Sequence, residues 1–217
     1  MNKINYSQKN ILTGFVGLIL LVILINYTAG LAKHSFITWL IAVIPLLIIF
    51  SIVKRRTNNF ASGQIGEDDI DRELQNLESS YICITKGLDT SHGNIDKIVI
   101  GPTGIWTLEV KNHKGNITFD GRSLLRDGRP LEKNFLGQAY AESKTIQEFI
   151  KLKLNLDIPV QPVVVFANKY TKVRLGFRDY KGVYVIQKAW LNKLLTETHN
   201  FNLDSDSIKK IETVLKN

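Results

Sequence analysis

Two long apolar runs without an ionisable side chain, residues 11–27 and 36–53, precede a stretch in which apolar and polar positions alternate at shorter intervals. Each run approaches the roughly 17–25 residues a helix needs to cross a bilayer core, and backbone polar groups in lipid must be satisfied within the segment, so both are expected to be helical. Pro45 is a possible kink in the second. Residues 57–63 read as a polar linker. After it, Ile65, Ile70, Leu74 and Leu77 recur at helical spacing. Strand patterns follow at 81–85, 95–100 and 104–111, the last two joined by a reversal at Gly101-Pro102-Thr103-Gly104. A smaller hairpin is expected from 116–119 and 123–126 around Asp120-Gly121. The stripe Phe135, Ala139, Ile146, Phe149, Ile150 predicts a helix over 135–152. The nearly continuous apolar run 160–167 fits a strand covered on both faces. A strand at 182–186 and helices at 189–196 and 205–216 complete the chain. This order predicts an α/β domain, a mixed sheet flanked by helices, over residues 64–217, behind a transmembrane hairpin over 1–56.

Charge changes how the basic total is read. The 217 residues carry a formal +8, from 28 Lys and Arg against 20 Asp and Glu. Six of those cations, and none of the carboxylates, lie in residues 1–56, which leaves 22 against 20 for the rest. The basicity therefore belongs mainly to the apolar segment and is not the footprint of a nucleic-acid-binding face. Lys3 and Lys9 flank the first run on the side where Lys54, Arg55 and Arg56 flank the second, while the joint holds only Lys33. The positive-inside rule then places both termini and the α/β domain in the cytoplasm, at the cell membrane. The first run lacks the small-residue cleavage site of a signal peptide. Cys83, the single cysteine, excludes an internal disulfide framework and reads as a small core residue. Trp106 and Trp190 read as core aromatics and Trp39 as a membrane one.

Three polar features interrupt the apolar pattern. On a strand over 104–111, Thr107, Glu109 and Lys111 share one face while Trp106, Leu108 and Val110 share the other. A carboxylate and an ammonium then stand together near a strand end, which is either a site or an exposed ion pair. Asp96 begins the strand paired with this one, and a tight turn brings it level with Glu109 and Lys111; as a poor strand former it also reads as a strand-entry cap. Glu67 falls on the stripe that steps back from Leu77, Leu74 and Ile70, so it is expected to face the sheet; equally, a carboxylate there complements the helix dipole. Two or three carboxylates and a lysine at this spacing form a hard oxygen set suited to Mg²⁺ or Mn²⁺. Asp96, Glu109 and the Val110 carbonyl are the expected metal ligands, with Lys111 placed to orient a water or steady developing charge.

The segment Gly66-Glu67, the run from Gly93 through Asp96 to Ile100, and the run from Gly104 through Glu109-Val110-Lys111-Asn112 to Gly115 together resemble the nuclease-related domain (NERD), a family placed in the PD-(D/E)XK nuclease superfamily. The resemblance spans about residues 61–170. It implies a restriction-endonuclease-like core in which Asp96, Glu109 and Lys111 form the catalytic motif. It also matches Glu67 to a first-helix acid, and Gln138 to a second-helix glutamine near the site. Ile95 stands where the superfamily nominally has proline. His92 and His113 flank the motif strands and read either as surface turn residues or as contacts to a phosphate or metal. Lys114, Arg122, Arg126, Arg129 and Lys133 read either as a solvated basic hairpin region or as a track for a phosphate backbone. No phosphate-cradling glycine loop, zinc spacing or Ser–His–Asp arrangement is present.

Two functions follow. One is a membrane-anchored, Mg²⁺-dependent nuclease cutting DNA or RNA, with DNA the favoured partner, at the cytoplasmic face. The other is a catalytically silent module with the same fold that binds nucleic acid or a protein partner, in keeping with the modest +2 of residues 57–217 and the lack of an obvious basic stripe.

Overall fold

The structure is a computed structural model, which describes Gly17 and residues 36–85, 89–90, 93–216; the side chains of 36–43, 56, 58–61, 89–90 and 93–94 lie outside that description. The chain divides into two compact units, Met1–Ser62 and Gly63–Asn217. Helix α1 spans Phe36–Leu74. Residues 57–63, expected as a linker, lie within it, and the Thr57 hydroxyl donates to the Val53 carbonyl at 2.8 Å. Among the described residues no helix is long and apolar enough to cross a membrane. The first apolar run lies, apart from Gly17, outside the described residues, as do the side chains of 36–43 in the second.

In the second unit the strands are β1 (Ile82–Thr85), the two-residue β2 and β3 (Asp89–Thr90, Gly93–Asn94), β4 (Lys97–Gly101), β5 (Gly104–Lys111), β6 (Gly115–Phe119), β7 (Leu124–Arg126) and β8 (Arg129–Pro130). After helix α2 (Phe135–Leu154) come β9 (Val160–Phe166), β10 (Thr171–Val173), β11 (Asp179–Tyr180) and β12 (Val183–Gln187), then a single 3-10 turn at Lys188–Trp190. Helices α3 (Leu191–Glu197) and α4 (Ser205–Lys216) close the chain. The principal sheet has the order β1-β4-β5-β9-β12-β11, and a smaller one the order β10-β6-β7-β8. In the principal sheet β4 and β5 form an antiparallel hairpin, β5, β9 and β12 run parallel, and β11 is antiparallel to β12. The sheet is mixed and flanked by helices, as the element order predicted.

Both faces of this sheet are covered, which is why β4, β5 and β9 are buried almost throughout. Trp106, Leu108 and Val110 pack one face with Ile70 and Leu74 of α1 and Leu191, Leu194 and Leu195 of α3. On the other face Ile98, Ile100 and Ile105 meet Ile146 and Ile150 of α2 and Ile208 and Ile211 of α4. Farther along that face Phe135, Leu136 and Ala139 of α2 cover Val164, Phe166 and Val185. The α2 helix is fixed at both ends. The Asn134 side chain accepts from the Gly137 amide at 3.1 Å, and Asn155 adopts a left-handed conformation at φ 53°.

The β4–β5 turn sets the register. Gly101 pairs with Gly104 across Pro102-Thr103, and the ladder ends at Lys97 opposite Leu108. A side chain at 101 would meet the Tyr81 ring at 2.2 Å, and Gly104 sits at φ +130°, so both glycines are required. Trp190 departs from its expected core place. It lies on the 3-10 turn with 45% of its surface exposed, because the chain leaves β12 there before α3 turns Leu191 inward.

Candidate active site

One step beyond the end of the β4–β5 ladder, Asp96 comes level with Glu109. There its carboxylate takes over the role of a partner strand, accepting from the Val110 amide at 2.7 Å. Because β5 alternates, Glu109 and Lys111 both point to the α2 face, and the Lys111 ammonium pairs with the Glu109 carboxylate. The ammonium also lies 4.9 Å from the centre of the Phe135 ring, at the N-terminus of α2. Three of the expected site residues, Asp96, Glu109 and Lys111, thus meet at one end of β5.

Helix α2 adds a fourth carboxyl group that the sequence reading passed over. Glu142 is buried and accepts from the Gln138 side chain at 2.9 Å. Its carboxyl is near enough to Glu109 that a negative charge on it helps to raise the Glu109 pKa. Its signal was available: Phe135, Ala139, Glu142 and Ile146 fall at helical spacing, so Glu142 occupies the inward stripe. Gln138 therefore acts on the cluster by holding Glu142.

Glu67 takes a different position from the one expected. The inward places on α1 belong to Gly66, Ile70 and Leu74, and Glu67 is exposed. Gly66 permits the close approach, since a Cβ there would lie 2.9 Å from that of Asn112 and 3.5 Å from that of Ala167. The Glu67 carboxyl still feels this end of the sheet: partial burial and then the negative Asp96 raise its pKa.

Electrostatically the cluster holds more acid than it can ionise. Burial pushes the Glu109 carboxyl up to about 8, with Lys111 opposing and Asp96 adding to the rise. Burial likewise raises Asp96, against its bond from the Val110 amide and the positive Lys111, and raises Glu142, against its bond from Gln138. Among the described residues Glu109 Oε2 is buried with no hydrogen-bond partner, and Thr107 Oγ1, two residues back on the same face, has none either. Two carboxyl groups facing each other are stable with a shared proton or with a cation between them. The orphaned oxygen and the all-oxygen donor set fit a hard divalent cation held by Asp96 and Glu109. Among the described residues, no three His, Cys, Asp or Glu side chains are already gathered as a metal-binding group.

The remaining candidates do not converge on this point. His113 is half-buried, stacked at 5.7 Å on Phe135 and bonded through Nδ1 to Arg126 at 2.8 Å; burial and then Arg126 lower its pKa, so it is a neutral packing residue. His92 lies outside the described residues. Burial raises the Cys83 thiol to about 11, which makes it unreactive at neutral pH.

Residues 62–167 match the nuclease-related domain (NERD) family, and the matched span contains the Gly66 approach, the β4–β5 hairpin, the carboxylate–lysine cluster and α2. No curated protein and no solved structure matches the chain.

Proposed function

We propose, with the nuclease-related match as the premise, that this protein hydrolyses phosphodiester bonds in nucleic acid, DNA in preference to RNA, with Mg²⁺ or Mn²⁺ as cofactor. The observation that carries this reading is the orphaned, buried Glu109 oxygen beside Asp96 and Lys111. A structural ion pair has no use for an unsatisfied carboxylate oxygen, which is costly to bury. Asp96 and Glu109 would hold the cation, with the Val110 carbonyl as a further oxygen donor. When bound, the cation supplies Lewis-acid polarisation of a phosphate and a more acidic water.

The chain's own groups do the rest. Lys111 is attracted both to Glu109 and to the Phe135 ring, so its ammonium is held where the charge developing on a phosphate oxygen can be balanced. Glu142 stands behind Glu109 and keeps its own proton while Glu109 is ionised, and Gln138 fixes its orientation. Glu67, exposed with a raised pKa, stands at the solvent side as a proton acceptor.

The membrane anchor belongs to the same reading, with spans at 11–27 and 36–53 and the nuclease-related unit on the cytoplasmic side. The described part of the second run supports it. Ile44, Leu47, Ile48, Ile49, Ile52 and Val53 are exposed on successive sides of α1, an apolar surface that water does not favour and lipid does.

The test incubates the full-length protein with labelled single-stranded, duplex and branched DNA and RNA in Mg²⁺, Mn²⁺ or EDTA. Metal-dependent cleavage that disappears in Asp96→Ala, Glu109→Ala and Lys111→Ala is the expected result. A folded protein that cleaves none of them would favour the silent binding module. That second reading draws on the modest +2 charge of residues 57–217.

A further inference from the structure

The parallel strands that carry Glu109 and Lys111 extend their face to a second feature. Glu109 is level with Val164, which is level with Val185, and Lys111 is level with Phe166, which is level with Gln187. Residues paired across a sheet share a face, so Val185 and Gln187 lie on the site's face, two strands away at about 10 Å. There β11 covers only Val183 and Tyr184. Beside the remaining half of β12 is a groove of about 390 Å³, lined by Val173, Leu175, Phe177, Gln187, Trp190 and Lys193 among others. Its two aromatic walls each leave 45% of their surface exposed and meet edge-on at 6.2 Å. Lys193 lies over the Trp190 ring at 5.6 Å.

The charge of the unit is unevenly distributed along the chain, and the segment that supplies this groove is its most basic part. Residues 169–193 hold seven cations (Lys169, Lys172, Arg174, Arg178, Lys181, Lys188 and Lys193) against one carboxylate, Asp179. The rest of residues 57–217 has 15 cations against 19 carboxylates, so the small net charge conceals a polar distribution. Among the described residues, only Lys188 and Lys193 of the seven are within ion-pair distance of a carboxylate. A third exposed aromatic, Tyr170, follows β9 and carries Lys169 and Lys114 at 5.0 and 5.6 Å from its ring centre.

We infer that this groove binds an unpaired base of single-stranded nucleic acid, stacked on Trp190 with Phe177 at its side. The inference rests on the proposed nuclease reading and specifies its substrate. Exposed aromatic faces interleaved with cations are the chemistry by which proteins hold single strands without reading sequence. A paired base cannot offer its face to the groove, so the groove selects single-stranded tails, flaps or gaps over continuous duplex.

The test uses the full-length protein in EDTA, with a fluorescein-labelled 12-nucleotide single strand and its duplex followed by anisotropy. Trp190→Ala and Phe177→Ala are each expected to weaken single-strand binding about ten-fold, leave duplex binding within about two-fold, and preserve the thermal midpoint. Trp190→Phe, which keeps a stacking face, is expected to retain most of the affinity. Unchanged single-strand binding in both alanine variants, or equal losses for single strand and duplex, would overturn the proposal. So would a loss confined to vesicles of anionic lipid, which would reassign the groove to the bilayer surface. Cleavage assays in Mg²⁺ separate the two readings. Single-strand binding that needs Trp190 in a protein that cuts nothing keeps the groove and removes the nuclease. Single-strand cleavage with unaltered KM in Trp190→Ala keeps the nuclease and removes the groove.

Discussion

Two lysine–carboxylate pairs flank the β4–β5 hairpin, and they are built in opposite ways. Lys97 is buried at the start of β4, its side chain 3% exposed, and it reaches out at 2.7 Å to Asp71 of α1, which is 37% exposed. In the second pair the carboxylate is the buried member: the Glu109 side chain is 2% exposed and that of Lys111 19%. The first arrangement lets water share the carboxylate while the ammonium ties helix to sheet. The second leaves an acid in the interior with one oxygen unanswered and a cation turned toward solvent. Similar residue types thus produce a structural clamp on one face and a chemically unfinished site on the other.

The contrast breaks most sharply under substitution of the lysines. Lys111→Ala is expected to lower metal-dependent cleavage about a thousand-fold, the scale of a lost transition-state charge partner, measured on variant protein whose fold is checked by circular dichroism. Lys97→Met is expected to leave the rate constant of a folded protein near that of the wild type. Asp71→Ala strands Lys97 in the interior and is expected to cost about 3 kcal/mol in urea unfolding, as when one partner of a buried pair is removed.

Acidity gives a subtler separation. Glu109 titrates near 8 when folded against an ordinary value of 4.5, so the folded state holds a proton that the unfolded state has released across that window. Its contribution to stability is complete below about 4.5 and is lost as pH rises toward 8. Asp96 and Glu142, also raised, act in the same direction. Metal-free protein is expected to lose stability over this range in urea titrations, and Glu109→Gln to flatten the curve. A steeper loss in the variant would refute the assignment. The smallest expected effect is that of Gln138→Ala, which removes one hydrogen bond to Glu142. About 1 kcal/mol, or a five- to ten-fold slower cleavage, is expected from kinetics.

Much of this was legible because the hairpin is local. A two-residue turn and a period of two suffice to set Asp96 opposite Glu109 and to give Glu109 and Lys111 one face. The apolar run of β9 and the stripe of α2 were equally plain. Glu142 was missed although it interrupts that same stripe, because a carboxylate at an inward position looks like a gap until its partner from another strand is in place. Glu67 was misplaced because Gly66 offers no side chain to mark it as the inward residue. Trp190 looked like core on composition alone, and only the 3-10 turn after β12 brings it out to solvent. The cation cluster at 169–193 was averaged away when charge was summed over the whole unit.

The short turn at Pro102-Thr103 also bears on the order of events during folding. Asp96 and the Val110 amide are only 14 residues apart in sequence, and a hairpin of this size closes in about 1–10 μs. The parallel pairing of β5 with β9 must wait for α2 to form and cross over, a slower and less local step. The acidic half of the site thus depends on local pairing within one hairpin, whereas Gln138 and Glu142 reach it only through the long-range crossover of α2.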